Sequence, residues 1–220
     1  KRAAVMRHEP DGTLRQLPPV AEAKVWNVNA RNREQQMALE LLADPSIRLV
    51  TLVGGAGTGK TLLALAAALQ ATLRDKNFER ILVSRPIVPL GNDIGYLPGD
   101  KADKLSNWMQ PIFDNLDFLL PPGTGRAPHS SAGDIRVDQL VNSKKLELEA
   151  ITYIRGRSIS NQFVIIDEAQ NLTPHEVKTV ISRAGEGTKM VLTGDPWQID
   201  NPYLDTSSNG LTYCVEQFKQ

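Results

Sequence analysis

The sequence is poor in the residues that build cross-linked or metal-bound folds. It has one cysteine, Cys214, and three histidines that lie far apart. A disulfide framework or a zinc site needs several such residues at close spacing, so neither can organise this fold. The longest apolar run, residues 62–69, is far shorter than the ~20 residues of a membrane span, and the first residues do not resemble a signal peptide. We therefore expect a soluble protein of the reducing cytoplasm with no membrane partner.

An excess of charge of either sign is also missing, because 25 Lys and Arg residues balance 25 Asp and Glu residues. A neutral chain has no global attraction to nucleic acid or anionic lipid, so any such binding must be local. Residues 1–33 are locally basic, with seven basic and three acidic side chains. Most basic segments are solvated surface, which is the simpler interpretation of this one.

Aromatic residues make up only 5% of the chain, but 41% of its 220 residues are hydrophobic, enough for one domain with a substantial core. The sequence Glu-Pro-Asp-Gly at residues 9–12 predicts a turn between two short strands. We therefore interpret residues 1–25 as a hairpin or linker outside the core and residues 26–220 as the main domain. Because the chain begins with Lys1 rather than Met, we expect a further domain upstream.

Short apolar runs alternate with helical segments along the main domain. Strands are predicted at residues 49–54, 81–84, 163–167 and 190–194. Helices are predicted at residues 60–73, 101–120 and 173–185, and loops at residues 85–100 and 121–133. Strands that are apolar on both faces are typical of a parallel sheet with helices on each side. The pattern therefore predicts a three-layer α/β fold.

The loop after the first of these strands has the sequence Gly-Gly-Ala-Gly-Thr-Gly-Lys-Thr, which matches the pattern of a phosphate-binding loop. Its residues are Gly54, Gly55, Ala56, Gly57, Thr58, Gly59, Lys60 and Thr61. In such a loop the backbone N–H groups cradle phosphate oxygens, Lys60 reaches the β- and γ-phosphates, and the hydroxyl of Thr61 ligates Mg²⁺. An incidental glycine-rich turn is the alternative, but it does not require the strand before and the helix after the motif.

An acidic pair, Asp167 and Glu168, follows the apolar strand at residues 163–166. At the end of a buried strand, Asp167 can hold Mg²⁺ while Glu168 orients and deprotonates the attacking water. The alternative is a pair of solvated acids at a strand end. The phosphate-binding loop in the same chain favours the catalytic interpretation.

A third loop, Gly-Asp-Pro-Trp-Gln at residues 194–198, follows the last predicted strand. Ligands of α/β sheets bind at the carboxyl ends of the strands, so this loop can lie beside the other two. Gln198 can then sense the γ-phosphate and convert its loss into movement of the loop. An ordinary Asp-Pro turn is the alternative.

Longer segments around these motifs carry a family resemblance. They are VTLVGGAGTGKTLLALAAAL, SRPIVPLGNDIGYLPGD, ELEAITYIRGRSISNQFVIIDEAQNLTPHEVKTVISRAGEGTKMVLTGDPWQID and NPYLDTSSNGLTY. Together they resemble the PhoH-like ATPase family, which is related to superfamily 1 helicase cores. The resemblance implies a RecA-like P-loop NTPase fold, Mg²⁺-dependent ATP hydrolysis, a role on RNA, and homo-oligomeric rings such as hexamers. Similar proteins often carry an upstream ribonuclease domain of the PIN type and continue past the residue that ends this chain.

Two interpretations of Gln35 stay open. Asn32 and Gln35 have the spacing of a helix N-cap and its reciprocal partner, at the start of a helix that Pro45 bounds. By the family resemblance, Gln35 is similar to the glutamine that reads adenine in helicase cores. One side chain can serve both roles.

The expected role of the arginines follows from the comparison with two-lobed helicases. Helicases of this superfamily complete the ATP site with arginines of a second RecA lobe, and these 220 residues contain no second lobe. A neighbouring subunit is then the expected donor, and the candidates are Arg157, Arg155 and Arg183. Arg85 also lies in a segment that resembles the family. Each of them can instead be ordinary surface, although Gly156 would let Arg155 and Arg157 face a phosphate together.

Three functions compete at this point. The first is an ATPase that remodels or unwinds RNA as part of an oligomer. The second is an ATP-dependent assembly switch that controls an attached ribonuclease domain. The third, a small-molecule kinase, has no use for Glu168 as a base for water, so the Asp-Glu-Ala-Gln segment speaks against it.

Overall fold

The computed structural model describes residues 4–87, 108–121, 136–154, 156 and 158–218. Its strands are β1 (Met6–His8), β2 (Leu14–Gln16), β3 (Lys24–Val25), β4 (Val28–Asn29), β5 (Leu49–Val53), β6 (Arg80–Arg85), β7 (Leu146–Ala150), β8 (Gln162–Ile166) and β9 (Lys189–Gly194). Its helices are α1 (Arg33–Ala43), α2 (Lys60–Leu69), α3 (Gln110–Leu119), α4 (Val137–Asn142), α5 (Ile151–Ile154), α6 (Pro174–Ile181) and α7 (Gly210–Gln217). Single turns of other helix types lie at Val20–Glu22, Gln70–Arg74 and Ala169–Asn171.

The main sheet of the described residues is parallel and has five strands in the order β5-β9-β8-β6-β7. All of its strands therefore end at the same edge. The loops after β5, β9 and β8 lie side by side there, because these three strands are consecutive neighbours. β6 lies on the other side of β8, so its last residue, Arg85, ends beside the loop that follows β8.

Helices cover both faces of this sheet, as the alternation of side chains along β8 illustrates. Phe163 and Ile165 belong to one core, together with buried residues of α1, α2, α3 and α4. Val164 and Ile166 point to the opposite core, which α5, α6 and α7 complete. The predicted fold class, an α/β RecA-like parallel sheet with helices on both faces, is confirmed. None of the helices in the described residues is both long and apolar enough to cross a membrane.

The sequence predicted four of the five strands and missed β7. Its sequence, Leu-Glu-Leu-Glu-Ala, favours helix by residue type, and β7 is held by parallel pairing with β6 alone. Leu146 and Ala150, the ends of the strand, are buried. The predicted helix after Thr173 ends at Ile181, earlier than expected. The predicted loops at residues 85–100 and 121–133, and the first part of the helix at 101–120, fall largely outside the described residues.

The N-terminal segment contains the predicted hairpin, formed by β1 and β2 around a turn that Gly12 closes with a φ of 86°. The expectation that residues 1–25 lie outside the core is wrong for Leu17 and Ala23, which are buried. Trp26 anchors the following turn, because its Nε1 donates a 3.0 Å hydrogen bond to the carbonyl of Leu119. The role of this segment as a linker stays a prediction.

The hairpin also contacts α1 through ion pairs. Arg7 lies 3.2 Å from Oε1 of Glu40 and 2.6 Å from Oδ2 of Asp44. The same end of α1 is capped from within the sheet, where the buried ammonium of Lys189 donates to the carbonyls of Leu41 and Asp44 at 2.8 and 2.7 Å. Burial lowers the pKa of Lys189 to about 8.

Candidate active site

The phosphate-binding loop joins β5 to α2 in a conformation that its glycines permit. Gly57 and Gly59 have φ values of 72° and 87°, a region that side chains disfavour. The N–H of Gly54 donates to the carbonyl of Gly194 at 3.2 Å and ties the loop to β9. Nζ of Lys60 donates to the carbonyls of Gly54 and Gly55 at 2.7 and 2.8 Å, so the ammonium lies over the loop at the N-terminus of α2. One cation beside a helix N-terminus is the chemistry that suits an anion such as phosphate.

Asp167 lies beside this loop and is buried. Its Oδ1 accepts hydrogen bonds from the hydroxyl of Thr61 at 2.7 Å and from that of Thr193 at 2.6 Å. Its backbone N–H donates to the carbonyl of Ser84 at 2.9 Å and extends the pairing of β8 with β6. The two predicted metal ligands, Thr61 and Asp167, are therefore brought together. Thr193 was not predicted, because its position follows from the pairing of β9 between β5 and β8.

The chemistry of this pair fits Mg²⁺. Among the described residues, no group of three or more His, Cys, Asp and Glu side chains forms a site for a metal held by protein ligands alone. Mg²⁺ commonly binds one or two protein oxygens and completes its shell with water and substrate phosphates. One hydroxyl and one carboxylate oxygen, 2.7 Å apart beside a phosphate-binding loop, supply that kind of partial ligand set.

Glu168 follows in a left-handed backbone conformation with φ 55° and ψ 38°, and its side chain is 39% exposed. It lines a cleft of about 240 Å³ together with Lys60, Thr61, Asp167 and Gln198, among others. The structure thus brings the predicted base, the metal ligands and the predicted sensor glutamine to one cleft.

Gln170 connects the loop of Glu168 to the loop of Gln198, and sequence analysis did not single it out. The side chain of Gln170 is fully buried. Its Nε2 donates to Oε2 of Glu168 at 2.5 Å and to the carbonyl of Gln198 at 2.9 Å, while its Oε1 accepts from the N–H of Asp195 at 3.2 Å. The only signal in the sequence was its place in the Asp-Glu-Ala-Gln segment.

Gln35 contacts the phosphate-binding loop from α1. Its Nε2 donates to the carbonyl of Thr58 at 3.0 Å, and its N–H donates to the side chain of Asn32 at 2.8 Å, as an N-cap requires. The reciprocal bond runs from the N–H of Arg31 to Oε1 of Gln35, one residue earlier than predicted. Gln35 also borders a groove of about 520 Å³ lined mostly by apolar atoms, with Met37, Leu41 and Val53 in its wall.

The arginines divide differently from the prediction. Arg85 lies in the site and pairs with Asp167 and Glu168. Arg155 and Arg157 lie outside the described residues. Arg183 is half-buried, and its carbonyl accepts a 2.9 Å hydrogen bond from Ile159, just before β8 begins. Arg183 is therefore at the amino edge of the sheet, opposite the phosphate-binding loop, and does not join the site of its own chain.

These features define a P-loop NTPase with a RecA-like sheet. A sequence model of the family described as PhoH-like protein matches residues 27–220, and the chain belongs to that family.

The curated relatives agree with this assignment. The chain is 55% identical over 211 residues to "Protein PhoH2" of Bacillus subtilis, a match that covers 94% of this chain and 45% of the relative. It is 40% identical over 199 residues to "Protein PhoH2" of Mycolicibacterium smegmatis, which covers 90% of this chain and 43% of the relative. The chain thus spans about half the length of the curated relatives that it matches.

Solved structures with similar folds are more distant. The Sulfolobus solfataricus SWI2/SNF2 ATPase core in complex with dsDNA is 18% identical, with a TM-score of 0.48 over 90% of this chain and 41% of that chain. The UvsW helicase from bacteriophage T4 is also 18% identical, with a TM-score of 0.45 over 80% of this chain and 57% of that one.

Proposed function

We propose that this chain hydrolyses ATP with the help of Mg²⁺ in the cleft between the loops that follow β5, β8 and β9. The observation that carries the proposal is the hydrogen-bonded cluster of Thr61, Asp167 and Thr193, with Lys60 and Glu168 in the same cleft. A phosphate-binding loop next to a strand-end carboxylate is the arrangement that nucleoside triphosphate hydrolysis requires.

Each residue of the cleft then has one task. The backbone N–H groups of the loop and the ammonium of Lys60 bind the phosphates. Thr61 and Asp167 would hold Mg²⁺, which would supply positive charge beside the phosphates. Glu168 orients the attacking water and accepts its proton. Gln198, on the neighbouring loop, responds to the presence of the γ-phosphate.

The groove beside Gln35 suits the base of the nucleotide. It begins at the phosphate-binding loop, and the exposed side chains of Met37, Leu41 and Val53 offer an apolar surface to an aromatic ring. Gln35 carries a donor and an acceptor at one end of the groove, which suits the edge of adenine. The bonds of Gln35 to Arg31 and Thr58 use one lone pair of its amide oxygen and one of its two N–H groups, which leaves one acceptor and one donor for adenine.

The loop after β9 supports a coupling of hydrolysis to RNA. Trp197, next to Gln198, is 75% exposed, and Tyr203 is 91% exposed. Exposed aromatic rings are stacking surfaces for unpaired bases. A loop with Gln198 in the nucleotide cleft and Trp197 in solvent can link the state of the γ-phosphate to a bound strand. We propose remodelling or unwinding of RNA as the work that hydrolysis drives.

A homo-oligomer, such as a ring of six copies, would complete the cleft. Within the described residues, Lys60 is the only cation in its wall, whereas efficient phosphoryl transfer commonly uses an additional arginine. We propose that a neighbouring copy donates it, with Arg157, Arg155 and Arg183 as the candidates in that order. Because Arg183 lies away from the cleft of its own chain, it would reach a nucleotide only across a subunit interface.

Steady-state hydrolysis of ATP, measured on this chain and on the full-length protein with and without single-stranded RNA, tests the proposal. We expect Mg²⁺-dependent turnover that RNA stimulates. A rate of ATP hydrolysis that is the same with and without RNA would favour the alternative, an ATP-dependent assembly switch that controls an attached ribonuclease domain. An absence of hydrolysis from the full-length protein in all conditions would contradict the proposed activity itself.

A further inference from the structure

Arg85 is the last residue of β6 and lies outside the three motifs that define the site. Its side chain is only 14% exposed, which is unusual for an arginine and calls for compensating partners. Register places Ser84 opposite Ile166, so Arg85 reaches the two residues that follow β8. The pairing of β6 with β8 therefore places this guanidinium beside Asp167 and Glu168.

The guanidinium of Arg85 spans both carboxylates of that pair. Its Nε lies 3.3 Å from Oδ2 of Asp167, and its Nη2 lies 3.6 Å from Oε1 of Glu168. The third nitrogen, Nη1, donates to the carbonyl of Trp108 at 2.9 Å, and the charge lies 5.8 Å from the centre of the Trp108 ring. Arg85 is thus itself fixed on the side away from the acids.

Glu168 is restrained at one carboxylate oxygen by Gln170, and Arg85 is the charged partner of the other. The side chain of Glu168 is 39% exposed and has several rotatable bonds, so it has access to many rotamers. Oε2 of Glu168 accepts a hydrogen bond from Gln170, while Oε1 lies in ion-pair contact with Nη2 of Arg85. Oδ1 of Asp167 accepts from the hydroxyls of Thr61 and Thr193, while its Oδ2 faces Nε of Arg85 in an ion pair that lacks hydrogen-bond geometry.

We propose that Arg85 is a positioning residue for hydrolysis, whose single guanidinium fixes the base Glu168 relative to the metal carboxylate Asp167. This inference rests on the proposed function, because it takes Glu168 as the base. Arg85 lines a neighbouring cavity of about 370 Å³ rather than the phosphate cleft, and Glu168 and Gln198 belong to the walls of both. In this inference Arg85 acts on the cleft through Glu168. The planar fork of an arginine can hold two acceptors at once, which the point charge of a lysine does less well.

The test compares Arg85→Gln and Arg85→Lys with a matched control on the same strand. Arg80, at the start of β6, also pairs with an acid, Glu147 at 2.5 Å, but lies at the opposite edge of the sheet. Arg80→Gln therefore removes a comparable ion pair without touching the site. For each variant, titration calorimetry gives the Kd for Mg-ATP, and steady-state kinetics give kcat.

We expect Arg85→Gln to lower kcat by ~10- to 100-fold, the scale on which small misplacements of reacting groups act, with the Kd for Mg-ATP within about threefold of wild type. Arg85→Lys should recover part of the loss, and Arg80→Gln should keep the wild-type kcat. In the double variant Arg85→Gln/Glu168→Gln, turnover should match that of Glu168→Gln alone. Arg85 acts by positioning Glu168, so its loss should have no further effect once the base is replaced.

Other results would overturn the inference. A wild-type kcat in Arg85→Gln, or a double variant that loses the product of both single effects, would show that Arg85 does not act through Glu168. If Arg85→Gln fails to fold, Arg85→Lys tests the inference instead. Full turnover in Arg85→Lys would show that contact of one guanidinium with both Asp167 and Glu168 is not needed. A wild-type chain without ATP hydrolysis would instead contradict the proposed function, and with it this inference.

Discussion

The hydroxyl of Thr61 donates a 2.7 Å hydrogen bond to the carboxylate of Asp167, 106 positions later in the chain. The bond joins the first turn of α2, the proposed phosphate site, to the end of β8, where Glu168 follows. In the proposed mechanism, binding of nucleotide and activation of water are therefore tasks of neighbouring but separate groups. Substitutions on the two sides of this bond should separate binding from hydrolysis.

Replacing Glu168 should abolish turnover while nucleotide still binds. Glu168→Gln keeps the size of the side chain but cannot accept the proton of water, so kcat should fall by ~100-fold or more. Titration with Mg-ATP should give a Kd close to wild type. Glu186→Gln, an exposed position at the other edge of the sheet, is the control. Wild-type turnover in Glu168→Gln would show that Glu168 is not the base.

Replacing Lys60 should weaken binding itself. Lys60→Ala removes the ammonium that lies over the phosphate-binding loop, and with it charge-assisted hydrogen bonds to the phosphates. We expect the Kd for ATP to rise by at least ~10-fold, since bonds to charged groups contribute about 1.5–3 kcal/mol each. Calorimetry measures this directly. An unchanged Kd would show that Lys60 does not contribute to ATP binding.

Donation of an arginine across an interface predicts complementation between inactive chains. Arg157→Ala keeps Glu168, and Glu168→Gln keeps Arg157, so a mixed interface contains one complete site. We expect each variant alone to be slow, the mixture to recover hydrolysis, and the activity per wild-type chain to rise with protein concentration as oligomers form.

Light scattering alongside the kinetics checks the assembly state in that experiment. Repeating the mixture with Arg155→Ala and with Arg183→Ala ranks the three candidates. A single-subunit particle with full activity, or a mixture that recovers nothing with any of them, would contradict donation in trans.

Lys189 should give the stability of the domain a pH dependence. Burial lowers its pKa from 10.5 to about 8, so between these values the unfolded chain binds more protons than the folded one. The free energy of unfolding should therefore rise with pH, by roughly 1 kcal/mol between pH 7 and pH 9. Above pH 9 the thiol of Cys214, whose pKa burial raises to about 11, acts in the opposite direction.

Denaturant unfolding at pH 7, 8 and 9 measures this slope. Lys189→Met should remove it, whereas Lys178→Met, on the exposed face of α6, should leave it as in the wild type. An equal slope in wild type and Lys189→Met would show that the buried ammonium is not its source.

How much the sequence predicted depends on whether the signal was local. The phosphate-binding loop and the capping box of Thr173 and Glu176, with bonds of 3.2 and 3.0 Å between them, are contained within a few residues and were predicted correctly. Buried strands such as β8 were predicted from their continuous apolar runs. β7 alternates Leu and Glu, which is a local strand pattern, but Leu, Glu and Ala favour helix by residue type, so the two signals conflict and the strand was missed.

The supporting residues of the site were missed because most of their contacts are not local in the sequence. Thr193 and Arg85 contact the acidic pair only because β9 and β6 flank β8 in the sheet. Gln170 lies two residues after Glu168, but its further bonds to Gln198 and Asp195 depend on the neighbouring loop after β9. Sequence order does not give strand order, so no spacing rule connects Arg85 to Asp167. The motif residues that we propose to bind the nucleotide could be identified from the sequence, whereas the residues that hold them in place could not.

The two ends of α1 are bonded to two different parts of the domain. Its first turn is bonded to the phosphate-binding loop through Gln35 and Thr58, and its last turn is paired with Arg7 of the hairpin through Glu40. Eleven residues of α-helix form a stiff rod of roughly 16 Å. The phosphate-binding loop at Thr58 and the hairpin at Arg7 are thus joined through the two ends of one helix.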